Sequence, residues 1–358
     1  MNRLKKALSG FMPLVLIFSL TLVGCGQQAT TTSGPSTPAN EISAQDLLTA
    51  VKTIDLPGKG GHGDVVAYDS DKKALYVSHT PDNNLIIINT ETQAIEKIIP
   101  NMNGVCGIAV GPKYIYIANG VDSKLGVIEK GTWNVVANVD TGGKTPDAVY
   151  YDDINKKVFV GNIDTNNMSV ISPDVPFKLV TSFDLSTDKP KAGQDLGVLI
   201  PSKNRIYQSV DNYIVVIDTA SNKILNKITE DVPIGATGGL KDMIYDPNKN
   251  IIWMGTTSKK VFALNPDTGK TTEVAAQNGM DQIAWDPAIN MLFLGEKSAD
   301  SGALEVINMA TQKSIGAVKT EAGFHTLNVD TDKHMVYAYY NTSNKVVIYK
   351  ENMDLIKK

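Results

Sequence analysis

The feature that most constrains the fold is a short apolar strand, centred on an aromatic residue, that recurs seven times along the chain. Its copies include ALYVS, KVFVG and IIWMG. The central residues follow one another at intervals of 40 to 48 residues, and they are Tyr76, Tyr116, Phe159, Tyr207, Trp253, Phe293 and Tyr337. One four-stranded blade of a β-propeller takes about 40–50 residues. We therefore predict an all-β, seven-bladed propeller.

Each aromatic strand has similar neighbours in the sequence. An apolar strand that ends in an acidic turn precedes it, as in DMIYDPNKN, and a second apolar strand follows it, as in YIVVID. A polar turn then leads to a more polar strand such as KILNKI. Asp, Asn and Gly in these turns suit tight connections between antiparallel strands. Each predicted blade is therefore a four-stranded antiparallel sheet.

The two ends of the repeat array are incomplete in complementary ways. The last unit stops at KVVIYKEN without a fourth strand, whereas the first is preceded by AVKTIDLPG, a fourth-type strand without predecessors. Pairing residues 51–56 with 345–349 would complete the last blade and leave only short protected edges. A β-sandwich and two separate β domains are alternatives, but neither explains these ends. We predict a propeller over residues 50–352 and a tail over 353–358.

The segment before the propeller has the pattern of an export signal. Residues 1–24 combine basic residues with an apolar run, which predicts a signal peptide. The sequence LVGC, ending at Cys25, resembles the lipobox of bacterial lipoproteins, in which the cysteine carries the lipid. This resemblance implies an extracytoplasmic protein held on the cell membrane or outer membrane by a lipid on Cys25. An ordinary signal peptide is the alternative. Residues 25–49, rich in Ser, Thr and Gln, predict a flexible linker.

The repeat itself resembles a known family. The stretches YVSHTPDNNLIIINTETQAIEKIIP and IYQSVDNYIVVIDTASNKILNKI are similar to the YVTN repeat, over roughly residues 50–350. The resemblance implies a propeller architecture. The YVTN-repeat family includes envelope and surface proteins that mostly lack an assigned chemistry, while neighbouring propeller families include lactonases and a metal-dependent antibiotic lyase.

Aligning the units on their aromatic residue places one polar residue per blade at the start of the innermost strand. In a closed ring these positions must face one mouth of the central channel. They are Asp64, Cys106, Asp147, Asp195, Lys241, Asp281 and His325. His62, in a glycine-rich loop two residues before Asp64, could join them. Nothing in apolar packing requires this composition.

Two interpretations of this rim stay open. The carboxylates suit a divalent cation such as Ca²⁺, and His325 and Cys106 would favour a softer metal. Crowded carboxylates would also raise one another's pKa unless a cation or Lys241 compensates. The alternative is that each Asp binds loop N–H groups in a water-filled mouth that holds no ligand. His79 and His334 are expected to be solvated surface residues, and the DSDKK and DTDKH runs to be hairpin turns.

Composition and motifs argue against several classes of function. The net charge of -4 and the absence of a basic run argue against nucleic-acid binding. The chain contains no G-x-S-x-G, HExxH or C-x-x-C-H motif. We expect a monomeric, non-enzymatic module that binds a small ligand or an envelope protein. The alternative is a metal-assisted hydrolase or lyase with its site at the channel mouth.

Overall fold

The chain folds into seven four-stranded antiparallel sheets arranged in a ring. The computed structural model describes residues 42–185, 194–210, 213–229, 239–277, 279–297 and 302–356. Within these residues the sheets confirm the predicted all-β, seven-bladed propeller. Numbered along the chain, the strands run from the innermost to the outermost position of each blade, except in the last blade.

Blades 1 to 4 follow in sequence order. Blade 1 comprises β2 (Val66–Asp69), β3 (Ala74–His79), β4 (Asn84–Asn89) and β5 (Ala94–Ile99). Blade 2 comprises β6 (Val105–Val110), β7 (Tyr114–Asn119), β8 (Lys124–Glu129) and β9 (Val135–Asp140). Blade 3 comprises β10 (Pro146–Asp152), β11 (Lys157–Asn162), β12 (Asn167–Ile171) and β13 (Leu179–Asp184). Blade 4 comprises β14 (Val198–Ile200), β15 (Arg205–Val210), β16 (Tyr213–Asp218) and β17 (Lys223–Ile228).

Blades 5 to 7 complete the ring. Blade 5 comprises β18 (Leu240–Asp246), β19 (Ile251–Thr256), β20 (Lys260–Leu264) and β21 (Thr271–Ala275). Blade 6 comprises β22 (Met280–Asp286), β23 (Met291–Lys297), β24 (Gly302–Asn308) and β25 (Lys313–Thr320). Blade 7 comprises β26 (Phe324–Asp330), β27 (Met335–Tyr340), β28 (Lys345–Glu351) and β1 (Leu48–Asp55). One α-helix, α1 (Ala44–Leu47), and 3₁₀ turns at Thr80–Asp82, Pro201–Lys203 and Met353–Leu355 accompany them.

The recurring aromatic residues form the contacts between blades. Each is almost fully buried, and each belongs to a core cluster that it shares with the second strand of the next blade. Tyr76 of blade 1, for example, clusters with Ile115 and Ile117 of blade 2. Tyr337 of blade 7 clusters with Leu75 and Val77 of blade 1, which closes the ring. The repeat length is therefore the distance along the chain between one inter-blade core cluster and the next.

The N-terminal strand closes the last blade as predicted, but it begins earlier. β1 pairs antiparallel with β28, from Leu48 opposite Glu351 to Asp55 opposite Lys345. The preceding helix α1 is capped by the Ser43 hydroxyl and buries Leu47. The last residues of the linker predicted for 25–49 thus lie in α1 and at the start of β1, where Leu47 and Leu48 are buried.

The C-terminal segment is also more ordered than a free tail. The Asn352 N–H donates to the Leu47 carbonyl (2.7 Å). Met353 and Ile356, within the predicted tail 353–358, pack against the core between blades 6 and 7. Both chain segments that flank β1 and β28 therefore contribute apolar contacts to the closure.

Acidic residues cap the turns between the first and second strands, as predicted. Asp69 Oδ1 accepts from the backbone N–H groups of Asp71 (3.0 Å) and Lys72 (3.2 Å). Asp330 does the same for Asp332 (3.1 Å) and Lys333 (3.0 Å). The D-x-D runs are thus turn caps rather than calcium loops, because the first carboxylate binds the backbone of its own hairpin.

Candidate site at the channel mouth

β-bulges aim most of the predicted rim residues at the channel. In five blades the pairing between the first two strands shifts register near the start of the innermost strand. The predicted rim residues that lie inside these shifts are Cys106, Asp147, Lys241, Asp281 and His325. Asp64 and Asp195 lie on the loops that lead into β2 and β14. A bulge leaves its extra residue unpaired and re-aims that side chain.

All eight predicted residues line one cavity of about 340 Å³. The structure therefore brings together residues from all seven blades, as the alignment of the repeats implies. Residues that the sequence did not single out complete the lining, and they are Thr145, Ile163, Gln194, Leu196 and Gln282. A second cavity of about 330 Å³ shares Leu196 and Gln282 with the first and is lined by innermost strands. The polar mouth thus adjoins a space between the innermost strands.

One side of the mouth combines two carboxylates with a thiol. Ligand atoms of Asp64, Cys106 and Asp147 lie within 4.8 Å of one another. Burial raises the pKa of Asp147 well above its ordinary value, and the charges of Asp64 and Asp195 raise it further. Burial and the charges of Asp64 and Asp147 raise the pKa of the Cys106 thiol. This thiol donates to the Gly104 carbonyl (3.0 Å). Burial and the neighbouring carboxylates therefore favour the protonated forms of Asp147 and Cys106.

Lys241 supplies a positive charge at the mouth. Its Nζ lies 2.6 Å from Asp195 Oδ2 and 4.0 Å from Asp281 Oδ1. Burial opposes the charge on Lys241, but the two carboxylates overcome this and raise its pKa. For Asp195, burial outweighs the ion pair and raises the pKa to about 6. The ion pair therefore titrates closer to neutrality than an exposed one would.

Two imidazoles lie next to Asp64 at the mouth. His325 Nε2 lies 2.8 Å from Asp281 Oδ2, and its side chain is 5% exposed. Its Nδ1 is buried and has no hydrogen-bond partner among the described residues. The His62 ring meets the His325 ring edge-on, with centroids 5.4 Å apart. Ligand atoms of His62, Asp64 and His325 lie within 4.8 Å of one another, which is a spacing that one metal ion could bridge.

Buried amides hold the rim loops in place. Gln282 Nε2 donates to the Asp64 carbonyl (2.6 Å), and Gln208 Nε2 donates to the Asp195 carbonyl (2.5 Å). The Tyr150 hydroxyl donates in turn to Gln208 Oε1 (2.9 Å). These residues were not among those that the sequence pattern predicted at the mouth. Gln208 carries a usable signal, because the residue after the aromatic is apolar in the other six units.

A further carboxyl lies next to Lys241 on the innermost strand of blade 5. Asp242 accepts the backbone N–H groups of Met243 (2.8 Å) and Ile283 (3.1 Å), which joins blade 5 to blade 6. Burial raises its pKa to about 7, against the effect of these two hydrogen bonds. Asp242 lines the second cavity rather than the mouth.

The expected solvation of His79 is wrong. Its side chain is fully buried, and its Nε2 lies 2.8 Å from Asn344 Oδ1. Asn344 Nδ2 donates to the Leu56 carbonyl (3.0 Å), so the segment that follows β1 covers this histidine. The error arises from ring closure, which no local pattern around His79 reveals. His334 is largely buried as well, since its side chain is only 20% exposed.

The predicted signal peptide, Cys25 and the first part of the linker lie outside the described residues. Within the part of the chain that the structure describes, no helix is both long and apolar enough to cross a membrane.

The comparisons with known proteins support the architecture. No family model matches the chain, and no curated protein matches it either. A solved structure titled Kuenenia stuttgartiensis hydrazine synthase is similar, with a TM-score of 0.70 and 15% sequence identity. The match covers 82% of this chain and 96% of that chain. At this identity the likeness concerns the fold alone, and the chain is a seven-bladed β-propeller.

Proposed function

We propose that the protein is a ligand-binding propeller and that the ligand at its channel mouth is a divalent cation of the zinc type. The observation that carries the proposal is the convergence of His62, Asp64 and His325 within 4.8 Å. Two imidazoles and one carboxylate form a donor set that suits Zn²⁺ and leaves a coordination position open. The Asp281 carboxylate on His325 Nε2 resembles the orienting partner that metal-bound histidines commonly have.

The charge balance of the mouth supports a cation. Four aspartates line the cavity with one lysine, and Lys241 forms its ion pairs with Asp195 and Asp281. A cation near Asp64 would offset the remaining negative charge. It would also favour the ionised forms of Asp147 and Cys106, which share a cluster with Asp64. Binding is therefore expected to release protons.

The test measures zinc bound by the full chain purified in detergent. After dialysis against Zn²⁺ and then buffer, Asp64→Asn is expected to retain one equivalent less than the wild type. His325→Gln should behave in the same way and bind zinc more than about 100-fold more weakly. Even the loss of a residue that only hydrogen bonds to a metal ligand weakens metal affinity about 10–100-fold. Co²⁺ in place of Zn²⁺ reports thiolate ligation as a near-ultraviolet band, which Cys106→Ser would remove if the thiol joins the site.

The matched control is Asp140→Asn, because this carboxylate is 85% exposed and lies on the outer strand β9. It should bind as much zinc as the wild type. Equal zinc content in the wild type and Asp64→Asn would overturn the proposal, as would preference for Ca²⁺ over Zn²⁺ at this site.

A metal-assisted hydrolase or lyase is the second candidate. The observation in its favour is the pair of carboxyls with raised pKa values beside the cavity, Asp147 and Asp195, which could exchange protons with a substrate. Assays of ester, lactone and lyase substrates on the zinc-loaded chain separate the candidates. Turnover that Asp195→Asn abolishes, while zinc stays bound, would favour the enzyme.

We further propose that the propeller belongs to the YVTN-repeat family, acts as a monomer and is held on an extracytoplasmic membrane surface through a lipid on Cys25. The support is the LVGC sequence and the repeat pattern. A small ligand or an envelope protein would be its partner. Release of the protein from washed membranes by salt alone would count against the anchor.

A further inference from the structure

A second cluster of titratable side chains lies at the other end of the innermost strands. Asp286 ends β22, whose beginning carries Asp281 at the channel mouth. His334 lies in the turn between β26 and β27, and Glu351 ends β28. His334 Nδ1 is 2.7 Å from Asp286 Oδ2 and 3.5 Å from Glu351 Oε2. The cluster therefore joins blade 6 to the blade that closes the ring.

Asp286 occupies the turn-capping position that recurs in other blades. Its Oδ1 accepts the Ala288 N–H (2.7 Å), as the equivalent oxygens do elsewhere. The second oxygen normally meets a donor. Asp69 Oδ2 accepts from Tyr76 (2.8 Å) and lies 2.7 Å from Lys130 Nζ, and Asp330 Oδ2 accepts from the Tyr68 hydroxyl (2.7 Å). In blade 6 the second oxygen, Asp286 Oδ2, lies next to His334, which also lies next to the Glu351 carboxylate. Turn capping does not require this arrangement.

Glu351 provides an independent indication of a ligand. The residue is 2% exposed, and neither carboxylate oxygen accepts a hydrogen bond of good geometry within the described part of the chain. Burial and the adjacent Asp286 carboxylate raise the pKa of Glu351 to about 9. Its side chain nevertheless points at His334 and lies beside Asp286. A buried carboxylate is costly unless a proton or a cation compensates it. Either a proton or a cation must therefore compensate the charge of Glu351.

We propose that Asp286, His334 and Glu351 form a structural zinc site that fastens the closing blade to blade 6. The site is distinct from the channel mouth and supplies one imidazole and two carboxylates. Ligand atoms of tetrahedral zinc stand about 3.3 Å apart at bond lengths near 2.0–2.1 Å. The present separations of 2.7 and 3.5 Å lie on either side of that value. The partly exposed His334 leaves room for water as a fourth ligand.

The placement explains what such a site would do. Glu351 pairs with Leu48 at the first residue of β1, and its N–H donates to the His334 carbonyl (3.0 Å). Closure of the ring depends on the pairing of β1 with β28. A metal that binds Glu351 to blade 6 would therefore hold the end of β28 in the position that receives β1.

The experiment uses the full chain with Asp64→Asn, so that zinc at the channel mouth does not contribute. We expect this chain to bind one equivalent of Zn²⁺ and to melt several degrees higher with excess Zn²⁺ than with a chelator. Adding Glu351→Gln or His334→Gln should weaken binding more than about 100-fold and remove the zinc-dependent shift. Circular dichroism at 25 °C checks that each variant is folded.

Asp330→Asn, in the same background, is the matched control. It changes the equivalent capping residue of blade 7, which hydrogen bonds to Tyr68, and should leave the bound zinc unchanged. A proton shared between Glu351 and Asp286 is the competing explanation. It predicts no zinc binding in the Asp64→Asn chain and no zinc-dependent shift, and either result would overturn the proposal. Because the Glu351 and His334 variants are compared within one background and leave His62 and His325 unchanged, the zinc that these variants lose reports on this site whether or not the proposed function holds.

Discussion

At the scale of single residues, the surroundings of each buried carboxyl on the inner surface of this propeller determine its pKa. Asp195 lies beside Lys241, and its pKa rises to about 6, whereas Asp242 receives only backbone hydrogen bonds, and its pKa rises to about 7. Burial is the largest cause in both cases. A charged partner therefore offsets part of the effect of burial, but not all of it.

The Asp242 carboxyl is expected to make stability depend on pH. Its folded pKa of about 7 exceeds the ordinary value of 3.8, so the folded state holds more protons than the unfolded state between these values. Its contribution to the unfolding free energy is therefore full below about pH 4 and falls as the pH rises through 7. Asp242→Asn should remove this decline, which amounts to at most about 4 kcal/mol, since the shift is about three pKa units and one unit corresponds to about 1.4 kcal/mol.

Urea unfolding at pH 4.5, 6 and 7.5 measures this effect. The variant is expected to be less stable than the wild type at pH 4.5, because the amide cannot accept both backbone N–H groups, and the difference should narrow at pH 7.5. The exposed Asp140→Asn should keep the wild-type slope. Parallel curves for the wild type and Asp242→Asn would contradict the assignment.

At the scale of elements, neighbouring blades are linked by buried polar contacts as well as by aromatic packing. Lys130, in the turn after β8 of blade 2, is 2% exposed at its side chain. Its Nζ lies 2.7 Å from Asp69 Oδ2 of blade 1 and donates to the Gly111 carbonyl (3.0 Å). Asp69 thereby caps its own hairpin with one oxygen and joins the next blade with the other.

Removing the lysine from this pair should be strongly destabilising. Lys130→Met leaves the Asp69 carboxylate buried without its counter-charge, which is expected to lower the unfolding free energy by about 3–5 kcal/mol. Adding Asp69→Asn should recover part of the loss. Lys156→Met is the control, because its ion pair with Asp153 is exposed and should contribute less than about 1 kcal/mol. Thermal unfolding provides the measurement, and equal effects of the two lysine changes would argue against this role.

At the scale of the whole molecule, the ring depends on pairing between distant parts of the chain. β1 and β28 are separated by most of the sequence, yet they form adjacent strands of blade 7. Without β1, the edge of β28 would expose unpaired backbone groups to other molecules. Ring closure therefore protects against association as well as completing a blade.

Deleting residues 44–55 is expected to open this closure. The shortened chain should melt more than roughly 5–10 °C lower, because several kcal/mol of strand pairing and core contact are lost. It should also form oligomers through the free edge of β28, which size-exclusion chromatography would detect. A peptide spanning residues 42–55 should restore the monomer and the melting temperature, whereas a scrambled peptide should not. An unchanged melting temperature would mean that β1 contributes little to the ring.

The sequence alone was sufficient for the architecture and for the ring of equivalent residues at the mouth. The spacing of the aromatic residues predicted seven blades because each aromatic packs against the next blade at a fixed distance along the chain. The same spacing predicted which residues surround the mouth, since equivalent positions of a closed ring converge. Local patterns also predicted the capped turns, where Asp69 and Asp330 bind the backbone two and three residues away.

Contacts between distant segments were decided by the tertiary structure. The burial of His79 beneath the segment after β1, the pairing of Lys130 with Asp69 and the cluster of Asp286, His334 and Glu351 all join residues from different blades. The register shifts that turn His325 and Asp281 towards the channel are likewise properties of strand pairing. A periodic sequence determines which residues are equivalent, whereas side-chain chemistry between blades depends on how the closed ring places non-equivalent residues against one another.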